Sequence, residues 1–261
     1  MPNSRSQSDE PHLAEIPHHQ ELLDGTDWSS LETPSGTGER LPAALARLLD
    51  TDPVVRAAAM VDALRAVIHQ NTIYEATVPV ALYVAAILNH PATERGDFGQ
   101  DTAPALHYPT RAALLEWLSN TAYDANDECV AIGERIWGDG YLDEYPEMCS
   151  FRDLRPAIYS AVHPLLGHVT ANVREAALVA AIPLVEHPVL APQRGELADH
   201  ARSLLTTSTD RRKRDRVLGA MEAWGHDISG LENADDVAAR EFHGRRIAEH
   251  WTGGYVEDPP F

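Results

Sequence analysis

The chain has 261 residues, 44% hydrophobic and 23% charged, with Asp+Glu 40 against Lys+Arg 21 and a formal net charge of −19. That is enough apolar side chain for a continuous core, while the acidic balance argues against nucleic acid as a partner and for a basic protein. Two cysteines, Cys129 and Cys149, are too few for a disulfide framework and fit no zinc spacing, so no cofactor and no metal is expected.

No apolar run reaches membrane-spanning length and no basic start leads into one, which excludes the membrane and places the chain in the cytoplasm. Residues 1–26 are rich in Pro, Ser, His and acids, the composition of a disordered N-terminal lead. The array is expected over 27–252, with 253–261 as a frayed tail. Trp28 and Leu31 can dock on its first repeat. Thr33 to Gly38 reads as a flexible linker. Leu41 to Leu49 follows as a short helix with Leu41, Leu45, Leu48 and Leu49 inward.

Asp52 to His90 is the strongest pattern. Asp52 is placed as an N-cap and Pro53 at the first helical position. Val54, Ala57, Val61, Leu64 and Ile68 recur at steps of three or four, which predicts one buried helix face with Arg56, Asp62 and Arg65 turned away from it. The helix is expected to end near Gln70, because Asn71-Thr72 is turn chemistry. Thr77 can cap a second helix, with Pro79 in its first turn and Val80, Val84, Ile87 and Leu88 as its stripe.

Asp52, Arg56 and Ala59, in the order Asp-x-x-x-Arg-x-x-Ala at the start of a helical hairpin, resemble a HEAT repeat. The run from Arg56 to Pro79 resembles a group of bacterial HEAT-repeat, armadillo-like proteins. The resemblance implies an all-α fold, a right-handed α-solenoid of about five irregular helical hairpins. Such hairpins stack because each leaves an apolar edge uncovered.

Residues 92–107 read as a loop. Pro109-Thr110-Arg111 restarts the pattern, with Leu114, Leu115, Trp117 and Leu118 on its apolar side. Residues 124–150 break the rhythm as an acidic insertion. Eight carboxylates there face one base, Arg135, among Trp137, Tyr141 and Tyr145, and the part from Cys129 to Trp137 is expected to be helical. Phe151 to Leu166 reads as one helix, and Asn172-Val173-Arg174-Glu175-Ala176-Ala177 repeats the opening theme. Glu196 to Leu205 and Asp210 to Trp224 form another pair, and Asn233 to Trp251 closes the array.

No dinucleotide-binding, phosphate-loop, zinc-protease or nucleophile-elbow motif is present, so no catalytic residue is expected. His163 and His168, five apart, do not share a helix face. The basic run Arg211 to Arg216 is expected as a solvated face that pairs with acids of this chain. Aromatic groups beside carboxylates supply both contact area and steering toward a cationic surface. The partner-binding residues are therefore expected to be His69, Tyr74, Trp137, Asp139, Tyr141, Asp143 and Glu144.

The expected function is a non-enzymatic scaffold that captures a basic protein. The resemblance together with the charge implies one specific form, an immunity protein that neutralises a toxin. Two other readings remain at this point. One is an enzyme on a HEAT scaffold acting on nucleic acid, as in DNA glycosylases of this architecture. The other is an adaptor module in a larger assembly.

Overall fold

The computed structural model describes residues 15–94 and 108–242. They are mostly helical, with two short hairpins as the strands, and among them no helix is long and apolar enough to cross a membrane. Where the sequence suggests one array, the chain divides into two compact units, Met1–Leu197 and Ala198–Phe261.

The first unit opens with α1 (His19–Gly25), inside the stretch expected to be disordered. Residues 1–14 lie outside the described residues. Trp28 is buried as expected, and its Nε1 donates to the Leu23 carbonyl at 3.1 Å. The expected linker is instead a tight antiparallel hairpin, β1 (Glu32–Thr33) with β2 (Gly36–Thr37), turning through Gly36 at φ 131°. It is tethered from outside its own sequence: the Ala76 amide donates to Glu32 O and the Glu75 carboxylate accepts the Glu32 amide. Composition marks a flexible segment but cannot reveal such a tether.

α2 (Leu41–Ala46) buries Leu41 and Leu45, and its continuation in a 3-10 turn buries Leu48. α3 (Pro53–Ala59) starts as predicted, with Asp52 Oδ1 accepting the Val54 amide at 2.8 Å and Pro53 in the first turn. Of the predicted stripe only Leu64 is buried, with Ala57 and Ile68 half-buried. Val54 is 74% exposed and Val61 also faces out, whereas Arg56 is 3% exposed beside buried Ala59, Ala63 and Leu64. The guanidinium is the reason: Arg56 Nη1 donates to the carbonyls of Asp50 (2.6 Å) and Thr51 (3.0 Å). Those carbonyls belong to the turn before the helix, and a charged donor bonds strongly to each.

The same device recurs. Arg174 Nη1 donates to His168 O (2.6 Å) and Val169 O (3.3 Å), and Arg214 Nη1 donates to Ser208 O at 3.2 Å. Each arginine stands four residues after its helix N-cap, Asp52, Thr170 or Asp210.

After α3 the chain widens to a π-type turn (Met60–Leu64) and tightens to a 3-10 turn ending at Val67. The helix therefore stops short of Gln70. A second hairpin follows, β3 (Ile68–His69) with β4 (Thr72–Ile73). Its two central residues, Gln70 (φ 51°) and Asn71 (φ 60°), make the left-handed turn that suits the twist of paired strands.

α4 (Thr77–Ile87) comes next, and Thr77 acts as a tie, not a cap. Its Oγ1 donates to Val67 O at 2.7 Å and accepts the Tyr74 amide at 3.0 Å. α4 is buried on nearly every side, which fits a helix at the centre of a core. α5 (Pro91–Glu94) occupies the start of the predicted loop, and 95–107 lie outside the described residues.

α6 (Thr110–Asp124) buries Leu114, Leu115, Trp117 and Leu118 as expected. It packs against α10 (Ala171–Leu184), whose residues from Ala176 to Leu184 are all buried. Between them lie α7 (Asp127–Trp137), α8 (Pro146–Asp153) and α9 (Arg155–Val162). The single helix predicted over Phe151 to Leu166 is thus broken, with α8 ending before Leu154 and α9 giving way at His163 to a 3-10 turn.

The boundary between the units falls within α11 (Arg194–Thr207). In the second unit, Asp210 caps α12 (Arg211–Ala223) by accepting the Arg212 and Lys213 amides. Residues 234–242 are helical, capped by Asn233, and the predicted continuation to Trp251 lies outside the described residues. The basic run is not uniformly solvated. Arg214 is buried and ion-paired to buried Asp236 at 2.6 Å, and the pair holds the Asp236 carboxyl below its ordinary range.

Candidate functional site

The acidic segment is a helix followed by a tight return. Asn126 caps α7 through its side chain, and Asp127 and Glu128 in the first turn suit the positive end of the helix dipole. Gly138, at φ 97°, ends the helix, a conformation few other residues adopt. A 3-10 turn over Tyr141–Glu144 then folds back so that the Tyr141 ring lies on Gly133. A Cβ at Gly133 would fall 2.4 Å from that ring, so this approach requires glycine. Tyr141 stacks obliquely with Tyr145, ring centroids 4.7 Å apart, and burial is the first cause raising its hydroxyl above the ordinary range.

Only Val130 and Gly133 of α7 are buried. Trp137 is 74% exposed, Ile136 63%, and Ile132 is also exposed. Asp139, Asp143 and Glu144 are exposed beside them in the chain, so exposed apolar and anionic groups share one stretch of α7 and its return.

Its root is held by charge. Asp127 Oδ1 accepts from Arg152 Nη2 (2.6 Å) and Arg155 Nη1 (3.5 Å), while both arginines also donate to the Ala125 carbonyl. Glu186, just beyond α10, accepts the Asp127 amide at 2.8 Å and lies 3.5 Å from Arg155. Burial pushes the Glu186 carboxyl up, against the pull of the Asp127 amide and the two arginines. Arg155 is fully buried, and burial is likewise the first cause lowering its pKa.

The chain matches no family model, no curated protein and no solved structure.

Of the predicted binding residues, Trp137, Asp139, Tyr141, Asp143 and Glu144 come together on α7 and its return. His69 and Tyr74 belong to another element: His69 is exposed in β3, paired with Thr72, and Tyr74 is half-buried after β4. His69 is thus a strand residue. The sequence reading missed Ile132 and Ile136, although their spacing of four on a short, acid-rich helix was visible.

The Cys129 thiol is a poor nucleophile candidate. Burial, then Asp124, Glu128 and Glu186, pushes the Cys129 thiol up, and its Sγ contacts Tyr123 O at 3.3 Å. His163 contacts Glu196 at 3.1 Å, and His168 accepts the Thr170 amide. Among the described residues no group of three or more His, Cys, Asp or Glu is arranged to hold a metal ion.

Proposed function

We propose that the chain is a non-enzymatic, cytoplasmic protein-binding scaffold, a right-handed α-solenoid of about five irregular HEAT-like hairpins whose acidic surface captures a basic protein. Two things support the architecture. The arginine-tied helix start recurs at Arg56, Arg174 and Arg214, with a side-chain cap at the first and last. The last two lie 40 positions apart in the sequence, about the length of one HEAT repeat.

The observation that carries the function is the uncovered face of α7. Exposed Ile136 and Trp137 beside Asp139, Asp143 and Glu144 combine an apolar anchor with an anionic rim. That combination suits a cationic protein surface: the aromatic and aliphatic groups supply contact area, and the carboxylates supply steering. An immunity protein that neutralises a basic toxin is the specific form this reading takes.

The test replaces Asp139 and Asp143 with Asn and Glu144 with Gln, and titrates the partner recovered by pull-down with both proteins at low and high salt. Exposed ion pairs contribute about 0.2–1 kcal/mol each, so the triple variant should bind roughly tenfold more weakly at low salt. The difference should shrink as salt rises. A partner that binds both proteins equally at every salt concentration rules the reading out.

A further inference from the structure

Three imidazoles meet where α1 docks on α4. His18 and His19 have ring centroids 4.1 Å apart, and His19 and His90 5.7 Å apart at a steep angle. His19 also meets the edge of Tyr83, a fully buried residue of α4, at 6.1 Å. Two of the three rings hold the start of a helix. His18 Nδ1 accepts the Gln20 amide at 3.3 Å in α1, and His90 Nδ1 accepts the Ala92 amide at 3.2 Å in α5.

We propose that α1 is an acid-released latch: proton uptake where His18, His19 and His90 meet undocks it from α4 as the pH falls through the ordinary histidine range.

The chemistry acts in one direction at each ring. An imidazole protonated on Nδ1 has no lone pair there, so protonation ends both caps. It also puts a cation at the N-terminal end of a helix, where the dipole disfavours it. His19 makes no cap, but its charge would lie against the other two rings.

The groups around the cluster do not offset this. On α1, Asp24 accepts Gln20 Nε2 at 2.9 Å and Glu21 is exposed. On α4, the Tyr83 hydroxyl donates to Leu45 O, and burial pushes it up to about 12, so it carries no charge at neutral pH. On α5, Glu94 is paired with Arg111 at 3.2 Å. Arg111, from α6, also donates to the His90 carbonyl at 3.4 Å and adds a further cation.

The titration of His19 points the same way. Burial first, then His18 and His90, holds its pKa below the ordinary 6.5. An undocked ring takes up its proton near 6.5 and the docked ring only at lower pH. Between those values the undocked state binds more protons, so docking weakens as pH falls.

The experiment is an NMR titration of the full-length chain from about pH 7.5 to about pH 5, through the ordinary histidine range. It follows the His19 ring together with the amides of α1 and α10. The expected result is that α1 amides lose protection in step with uptake of the His19 proton, while α10 amides keep theirs. A His18→Asn, His90→Asn variant keeps side-chain acceptors that do not titrate, and should move the α1 transition to lower pH. Three results overturn the proposal: α1 stays protected until α10 unfolds, α1 is already unprotected at the start, or the variant releases α1 at the wild-type pH.

Discussion

α10 and α7 are helices of 14 and 11 residues with opposite surroundings. α10 is enclosed along most of its length and packs on α6, whereas α7 buries Val130 and Gly133 and leaves Ile132, Ile136 and Trp137 in solvent. α10 is the richer in apolar residues, yet Ile132, Ile136 and Trp137 are as large and apolar as the Leu and Val that α10 buries. Coverage by neighbouring chain is what they lack, and a large apolar group without coverage is more informative than one inside a core.

Matched deletions test that contrast. Leu178→Ala in α10 removes a side chain that is 2% exposed and leaves a cavity. It should cost about 2–5 kcal/mol in denaturant unfolding. A smaller loss would mean that α10 is less enclosed than it looks.

Gly133→Ala probes the close approach of Tyr141 to α7. The added methyl meets the Tyr141 ring and must displace it, at about 1–3 kcal/mol if the return loop cannot yield. The loss should come with a change in the tyrosine signal of near-ultraviolet circular dichroism. An unchanged signal with unchanged stability would show that the return is not seated on α7.

Ile136→Ala should shift stability by no more than about 0.5 kcal/mol, the usual range for a surface position. If it proves as costly as Leu178→Ala, α7 is covered by something and its exposed face is not available to a partner.

Much of the fold was legible in advance where local signals decide. Asp52-Pro53 starts a helix because a short carboxylate and a proline meet the needs of a first turn whatever surrounds them. Asp210 and the apolar side of α6 follow in the same way. Arg56 was misread because its charge suggests solvent, and only the nearby carbonyls of Asp50 and Thr51 account for its burial. Val54 and Val61 were misread because periodicity shows that apolar residues share a side, not that another helix covers that side. A turn at Asn71 was expected, but the strand pairing on either side of it was not, because two-residue strands are too short to show an alternating pattern. At the candidate site, composition picked out the acidic-aromatic segment, but the seating of Tyr141 on Gly133 required the chain to fold back.

The sequence by itself determined that this chain is helical, acidic, and built from capped segments with apolar sides, because those properties depend on residues within a turn or two of one another. It could not specify which arginines are buried or which apolar face stays open. Nor could it bring His19 against His90, about seventy positions away, since such proximity depends on long-range packing whose net stabilisation is a small difference between large terms.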